Sequence, residues 1–368
     1  MTIIIKEVMI RSFRGLQDLT VKNLNHVNVI VGDNNSGKTS VLEALLVLRN
    51  PESLTNLIRI TRQREFSLYR TPTYEGFINL FRKKQQMLQI NVKAKLADDS
   101  VIEASLMGNE KLTILEEEEI DNRILRNWSI HKNHIQEKFE VMAFEGELNS
   151  NVYGKSNEKH IFLHEQTRFS GMEIERVDCL EFEYLSPFDH LMGSNINRIV
   201  RNESYKSLCI DIIRLFDDNI TDIKILKNEQ TNRPVEYINH SILGDMPLST
   251  YGDGIKKVLS IANAIAQSAN GILLIDEVET AIHSKYYDKI FSFLTMASKH
   301  FNVQLFLTTH SIEAIDSLLA TQNYDTQDTT DDISVITIKK AEDKTYSRVL
   351  SGRQVTKNRE NFGFEVRI

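Results

Sequence analysis

A chain of 368 residues with a formal net charge of −7 can bury a large core and hold two domains, but it has no overall positive field to attract nucleic acid or anionic lipid. Its cysteines, Cys179 and Cys209, are too far apart for a disulfide framework or a cysteine-rich zinc site, so a reducing cytoplasm is expected. The longest apolar runs are much too short to span a bilayer, and no membrane partner is expected.

The amino-terminal part predicts two strands and a helix around a glycine-containing loop. Ile3–Ile10 and Val27–Val31 have the apolar pattern of strands, and helical spacing begins after Gly37. Between the second strand and the helix lies Gly32–Thr39, GDNNSGKT, which matches G-x-x-x-x-G-K-[ST] at every fixed position. In such a loop successive backbone N–H groups surround a phosphate chain, and the helix presents its positive end to it. The alternative is an ordinary glycine-rich turn.

This loop predicts a site for ATP together with Mg²⁺. Lys38 would reach the β- and γ-phosphates, and the Thr39 hydroxyl would ligate Mg²⁺. The other residues of the predicted nucleotide site in this loop and at the start of the helix are Gly32, Asn34, Asn35, Ser36, Gly37 and Ser40.

The middle of the chain has a different pattern. Leu88–Met107 and Phe139–Leu148 alternate polar and apolar residues, which indicates half-buried antiparallel strands. Arg59–Lys84 combines basic and aromatic side chains. This combination indicates either a phosphate-binding surface or a solvated helical face with buried aromatic side chains. Tyr205–Phe216 returns to helical spacing. We therefore expect residues 1–50 to form the amino-terminal part of an ATPase domain, residues 51–204 an insertion with antiparallel strands and helices, and residues 205–368 the carboxyl-terminal part of the ATPase domain.

Two apolar strands near the carboxyl-terminal end are followed by candidate catalytic residues. Ile272–Ile275 leads into Asp276 and Glu277. Asp276 would hold Mg²⁺, mostly through water, and Glu277 would orient and polarise the attacking water. Alternatively, the two acids are favourable charges at a helix N-terminus. Val303–Thr309 is the next apolar strand, and it ends beside His310.

His310 has two interpretations. Ligands of an open α/β sheet gather at the carboxyl ends of its strands, where this imidazole could bond the γ-phosphate or position the catalytic water. Alternatively, it is an ordinary surface or core histidine. The predicted catalytic residues are thus Lys38, Glu277 and His310, and the predicted metal ligands are Thr39 and Asp276.

The order of these motifs resembles that of ABC-type ATPases of the SMC/RecF-like branch. Within that branch the chain resembles the ATPase part of the OLD (overcoming lysogenization defect) family and related defence ATPases. STYGDG (Ser249–Gly254) is similar to the signature segment of that family, S-x-x-G-D-G. The resemblance covers roughly Met1–Asn50 and Tyr205–Ile368. It implies an α/β fold, namely an ABC/SMC-like P-loop ATPase head with a mixed sheet and a compact α+β insertion.

The resemblance also implies further nucleotide-binding residues, which the spacing of the motifs alone does not indicate. Ser249, Gly252 and Gly254 would enclose a nucleotide; alternatively, Ser249 or Thr250 caps the helix that follows. FRGLQDL (Phe13–Leu19) is similar to the opening of these proteins, where a basic residue contacts adenine, so Arg14 is a candidate for that contact.

The implied assembly is a homodimer, or a higher oligomer, in which the P-loop of one protomer and Ser249–Gly254 of the other enclose each ATP. About one strand and one or two helices are expected in Ser311–Ile368, which leaves no room for the nuclease module of OLD proteins. The first hypothesis is therefore an ATP-hydrolysing sensor or scaffold of a bacterial anti-phage defence system, with a separately encoded effector such as a nuclease.

Two further hypotheses remain open. One is a RecF/SMC-like DNA-repair ATPase that clamps DNA in its ATP-bound dimer. The other is a nucleotide-gated scaffold with very slow turnover. Binding of DNA or RNA is left open by the sequence.

Overall fold

The computed structural model describes residues 3–65, 71–82, 87–116, 138–168, 179–192, 196–228, 232–324, 331–362 and 365. The chain forms two compact units. The first unit comprises Met1–Glu7, Thr20–Leu42 and Leu180–Ile368, and the second comprises Val8–Leu19 and Glu43–Cys179. The domain boundaries expected from the sequence, after residues 50 and 204, stay a prediction.

The elements are numbered in chain order. The strands are β1 (Ile5–Phe13), β2 (Leu16–Val21), β3 (Val27–Val31), β4 (Leu88–Leu96), β5 (Val101–Glu116), β6 (Lys138–Val152), β7 (Lys155–His164), β8 (Phe182–Leu185), β9 (Ile220–Lys227), β10 (Pro234–His240), β11 (Gly244–Pro247), β12 (Ile272–Ile275), β13 (Gln304–Thr308), β14 (Ile333–Ala341) and β15 (Lys344–Ser351). The α-helices are α1 (Lys38–Val47), α2 (Leu54–Thr61), α3 (Thr73–Ile78), α4 (Asn197–Val200), α5 (Glu203–Ile213), α6 (Asp253–Gln267), α7 (Tyr287–His300), α8 (Ile312–Leu319) and α9 (Gly352–Phe362).

The first unit is built on a mixed six-stranded sheet in the order β15-β14-β3-β13-β12-β8. The five strands from β14 to β8 are parallel, and β15 returns antiparallel to β14. Every residue of β3, β12 and β13 is buried, because the sheet is covered on both faces. Leu259 of α6 and Phe291 of α7 pack in the same core as these strands. The expected α/β fold with a mixed sheet is confirmed.

The segment after His310 holds one strand more than the sequence predicted. It contains α8, β14, β15 and α9, so the expectation of about one strand was wrong. β14 lies beside the P-loop strand, with Ile336 opposite Ile30. β15 has the sequence KTYSRVLS and only Thr345 in it is buried, so it lacks the apolar run of a central strand.

A smaller antiparallel sheet, β11-β10-β9, precedes α6 in the first unit. It follows α5, which forms where Tyr205–Phe216 predicted a helix. The side chain of Asn202 caps α5 by accepting a hydrogen bond from the backbone N–H of Tyr205 at 3.1 Å.

Strands β4 to β7 of the second unit form an antiparallel meander, in a sheet whose order is β2-β1-β4-β5-β6-β7. The alternation in Leu88–Met107 and Phe139–Leu148 thus falls on antiparallel strands. Phe77 and Phe81 lie buried against Phe144, with ring centroids 5.2 Å apart in each pair. In the part of the chain that the structure describes, no helix is long and apolar enough to cross a membrane.

The basic and aromatic segment Arg59–Lys84 belongs to the second unit. Its described aromatic side chains, those of Tyr74, Phe77 and Phe81, are buried, so they build a core and cannot stack on bases. Five other members of this segment that were expected to support nucleic-acid binding, Phe66, Tyr69, Arg70, Lys83 and Lys84, lie outside the described residues.

Candidate functional site

The loop between β3 and α1 has the backbone shape of a phosphate-binding loop. Gly32, Asn35 and Gly37 have φ angles of +145°, +62° and +105°, which glycine and asparagine adopt more readily than other residues. A Cβ at Gly32 would lie 2.3 Å from the carbonyl oxygen of Ile338, so this position has no room for a side chain. The loop leads directly into α1 at Lys38, so a helix N-terminus, which favours phosphate, follows the turn.

Lys38 is held inside this loop. Its Nζ donates hydrogen bonds of 2.8 Å to the carbonyl oxygens of Gly32 and Asp33, and the residue is only 6% exposed. Burial lowers the pKa of Lys38, and nearby carboxylates oppose that effect. In decreasing order these are Asp276, Asp33, Glu277 and Glu279. The buried Oγ of Ser36 has no hydrogen-bond partner among the described residues. Both side chains could therefore gain hydrogen bonds from a bound phosphate.

Thr39, Asp276 and Thr308 meet at the carboxyl ends of the strands. Thr39 Oγ1 donates to the two carboxylate oxygens of Asp276 at 3.1 and 2.9 Å. Thr308 Oγ1 donates to Asp276 Oδ1 at 2.5 Å. The contact follows from strand pairing, because Ile275 of β12 lies opposite Leu307 of β13. A hydroxyl beside a carboxylate is the oxygen donor set that suits Mg²⁺, so these residues fit the predicted ion.

Glu277 has an unusual backbone conformation. Its φ of +47° lies in the left-handed region, which for such a residue costs about 1–3 kcal/mol. Thr308 stabilises this conformation, because its Oγ1 accepts the Glu277 N–H at 2.8 Å and its carbonyl accepts the Val278 N–H at 3.1 Å. Thr280 Oγ1 donates to Glu277 Oε2 at 3.3 Å. The surrounding hydrogen bonds therefore hold the candidate base in one direction beside Asp276.

The loop after β12 also holds the backbone of His310, two residues beyond the end of β13. The backbone N–H of His310 donates to Glu279 Oε1 at 2.8 Å. Glu279 and Thr308 were not among the predicted residues of the site. Their only local signal was a polar side chain beside a motif residue, Glu279 two positions after Glu277 and Thr308 two positions before His310.

The signature segment begins helix α6 in a way that only partly matches expectation. Ser249 lies in a 3-10 turn, and Thr250 Oγ1 donates to the carbonyl of Pro247 at 2.7 Å. The N-cap of α6 is Gly252, with no side-chain cap bond, so the alternative that Ser249 or Thr250 caps this helix was wrong. A Cβ at Gly252 would meet nothing within 4 Å. Within the described part of the chain, packing gives no reason for a glycine at this position.

Gly254 is different, because a Cβ there would lie 2.7 Å from Cε1 of Phe216. Elsewhere in the site, Asn34 and Asn35 are exposed and Ser40 is half-buried in the first turn of α1. The contacts of these residues with a nucleotide stay a prediction.

Arg14, the candidate for adenine contact, has a strong partner within the second unit. Its Nε lies 2.8 Å from Oε2 of the fully buried Glu43. Arg64 binds the same carboxylate through Nε at 2.8 Å and through Nη2 at 2.5 Å. This carboxylate between two guanidinium groups holds Arg14 in place. Its role toward adenine remains a prediction.

A mixed sheet with a P-loop, whose threonine is hydrogen-bonded to the aspartate that follows a buried strand, is the arrangement of a P-loop ATPase. The P-loop ATPase part of the expected class is confirmed by comparison with a known protein family. The chain belongs to the family described as "AAA domain, putative AbiEii toxin, Type IV TA system", whose model matches residues 27–316.

Several known proteins are similar to this chain. The chain is 25% identical over 338 residues to the "ATP/GTP phosphatase" of Helicobacter pylori. This aligned region covers 85% of this chain and 87% of the relative. It is 31% identical over 143 residues to the "DNA replication and repair protein RecF" of Glaesserella parasuis, covering 35% and 39% of the two chains. Among solved structures, an SMC head bound to the C-winged helix domain of ScpA aligns with a TM-score of 0.49 and 11% identity, over 95% of this chain and 98% of that one.

Proposed function

We propose that this protein hydrolyses ATP to ADP and phosphate in a Mg²⁺-dependent reaction, as the sensor or scaffold subunit of a bacterial anti-phage defence system with a separately encoded effector. The observation that carries the ATPase part is the meeting of Thr39, Asp276 and Thr308 beside the strained Glu277. These residues come from three separate stretches of chain. Ordinary packing does not require a carboxylate, two hydroxyls and a left-handed glutamate at one point.

Each side chain has a task that follows from its present contacts. Lys38 would exchange the carbonyls of Gly32 and Asp33 for phosphate oxygens. Thr39 and Asp276 would hold Mg²⁺, which would neutralise charge on the phosphates. Glu277 would orient the attacking water and accept its proton. His310, held through its backbone by Glu279, would bond the γ-phosphate.

The signature segment supports a dimer that encloses the nucleotide. Ser249 and Gly252 are exposed, and the space around Gly252 is open. An outside group could therefore approach the backbone at the N-terminus of α6, where a helix favours phosphate. The P-loop of one protomer and Ser249–Gly254 of its partner would enclose each ATP. Hydrolysis would then report assembly of the dimer.

The defence role is supported by similarity. The description of the family refers to the AbiEii toxin and a type IV TA system, and the STYGDG signature resembles that of OLD-like defence ATPases. A similar fold does not by itself carry a biological role, so the role needs its own test.

A second candidate function is a RecF-like DNA clamp, which the similarity to RecF over 143 residues favours. The described basic segment supports it less well. Arg64 is bound to the buried Glu43, and Tyr74 and Phe77 are buried. A clamp requires DNA binding by the isolated protein that weakens steeply with salt. Binding of that kind would favour the clamp over the defence scaffold.

The ATPase proposal is tested with Glu277→Gln, which keeps the shape of the side chain and removes its basicity. Phosphate release should slow by about 10²–10⁴-fold. Light scattering after gel filtration should show an ATP-bound dimer. Lys38→Ala is the matched control, because it removes the phosphate contact and should leave no trapped dimer. Full activity in Glu277→Gln would refute the role of this carboxylate.

The defence role is tested by purifying tagged Glu277→Gln after co-expression with its flanking genes, with and without ATP. A stoichiometric neighbouring protein, retained after nuclease treatment, supports a separate effector. Recovery of DNA alone supports the clamp, and recovery of neither partner in any nucleotide state contradicts the scaffold.

A further inference from the structure

Lys257, in the second turn of α6, is a buried lysine whose charge gives the fold no visible benefit. The residue is 1% exposed, and its Nζ has no hydrogen-bond partner among the described residues. An unpaired ammonium in the interior costs folding free energy. The preceding residue shows the ordinary alternative, because Lys256 is partly exposed and lies 3.2 Å from Asp253 Oδ1.

Three of the four carboxylates that act on Lys257 follow β12 in the candidate active site. Burial lowers the pKa of Lys257 to about 8, and carboxylates oppose this effect. In decreasing order, the carboxylates are those of Asp189, Glu279, Asp276 and Glu277. The last three also act on Lys38 in the P-loop. The carboxylates after β12 are therefore within electrostatic reach of two buried ammonium groups, one from α1 and one from α6.

Glu279 has one engaged and one unengaged oxygen. Its Oε1 accepts the backbone N–H of His310 at 2.8 Å. Its Oε2 is buried and has no hydrogen-bond partner among the described residues. A buried carboxylate oxygen and a buried ammonium, each unengaged and near enough to influence one another, would both gain from direct contact.

We propose that Lys257 is a positioning residue that pairs with Glu279 Oε2 when nucleotide is bound, and that it thereby couples helix α6 to the backbone of His310. The proposal rests on the proposed ATPase function. Helix α6 begins at Asp253, directly after its N-cap Gly252, in the segment that would meet the nucleotide of the partner protomer. A shift of α6 on assembly would carry Lys257 with it. Glu279 would pass that shift to His310 through the hydrogen bond that is already formed.

The test compares Lys257→Met with Lys256→Met, since methionine keeps much of the side-chain length and removes the charge. In Lys257→Met the kcat for ATP should fall at least about tenfold, with the KM within about twofold, because a misplaced group costs rate. Its melting temperature should rise by about 2–4 °C, because a buried unpaired charge is removed. Lys256→Met should keep kcat within about twofold, since it loses only an exposed pair.

A double-mutant cycle identifies the partner. Glu279→Gln alone should also slow hydrolysis, and adding Lys257→Met should slow it little further, because the two residues act as a pair. Additive losses would overturn the pairing. A Lys257→Met variant with wild-type kcat would overturn the proposal. A Lys257→Met variant that loses both thermal stability and kcat would also overturn the proposal, because Lys257 would then be needed for the fold itself.

A second measurement does not depend on turnover. A non-hydrolysable ATP analogue should slow amide hydrogen exchange at His310 by about fivefold in the wild type and not in Lys257→Met. If the wild type shows no hydrolysis, the ATPase proposal fails, and this measurement still decides the coupling. Absence of nucleotide-dependent protection in the wild type overturns the coupling whatever the rate. Equal protection in both proteins does the same.

Discussion

Thr308→Val removes the hydroxyl that joins Asp276 to Glu277 while keeping nearly the same shape. This hydroxyl donates to Asp276 Oδ1 at 2.5 Å and accepts the Glu277 N–H at 2.8 Å. Thr308 is 1% exposed, so water does not replace the lost bonds easily. The substitution therefore removes these two hydrogen bonds and leaves the shape of the side chain nearly unchanged.

The loss in the free energy of unfolding follows from these two hydrogen bonds. A hydrogen bond to a charged group contributes about 1.5–3 kcal/mol, and a buried N–H left without a partner costs about 1–3 kcal/mol. Thr39 still donates a hydrogen bond to Asp276 in the variant. The two contributions together should therefore lower the free energy of unfolding by about 3 kcal/mol, near the lower end of their combined range. Glu277 also loses a restraint on its left-handed backbone. A displaced base lowers kcat by about 10²-fold.

The assay is steady-state phosphate release, with kcat and KM measured separately, together with thermal unfolding. The KM for ATP should change little, because Lys38 keeps its contacts in the P-loop. Thr308→Ser is the matched control, since it keeps the hydroxyl and loses only a methyl group. Wild-type kcat in Thr308→Val would refute the argument that this hydroxyl positions Glu277. A Thr308→Ser variant as slow as Thr308→Val would assign the loss to packing.

Gly254→Ala should lower the free energy of unfolding by about 1–3 kcal/mol, because the added Cβ would lie 2.7 Å from Phe216. Gly252→Ala should leave the melting temperature unchanged, because a Cβ there meets nothing within 4 Å. It should instead weaken ATP-dependent dimerisation. Equal melting temperatures would contradict this contrast. Burial lowers the pKa of His26 from 6.5 to about 4, so the imidazole takes up a proton at higher pH in the unfolded chain than in the folded one. The free energy of unfolding should therefore fall by about 3 kcal/mol as the pH drops from 6.5 to about 4. Urea titrations of the wild type and His26→Gln should show this loss only in the wild type.

Several elements could be predicted because each is specified by local sequence. β3 spans Val27–Val31 in the structure as in the prediction, and α1 begins where helical spacing began. Strands buried on both faces are apolar throughout, which made β12 and β13 recognisable. The P-loop was equally clear, because a turn around phosphate needs glycine at fixed positions.

Other features left little trace in the sequence. β15 is mostly polar, because one partner strand and a single sheet edge need no apolar run. Lys257 resembles its neighbour Lys256 in sequence, although one is buried and the other is paired at the surface. Tyr74 and Phe77 resembled a nucleic-acid surface beside basic residues, and their burial depends on packing against distant strands such as the one that carries Phe144.

The sequence by itself determined which groups are available: a phosphate-binding loop, two acids after a buried strand, and a histidine after the next one. Only the tertiary structure decided which of them meet. Asp276 reaches Thr39 and Thr308 because β12 and β13 pair in parallel with Ile275 opposite Leu307, and this register sets their carboxyl ends side by side. The strand pattern repeats every two residues and is the same for any neighbouring strand, so it does not specify the partner or the register. That choice is made by the packing of the whole sheet.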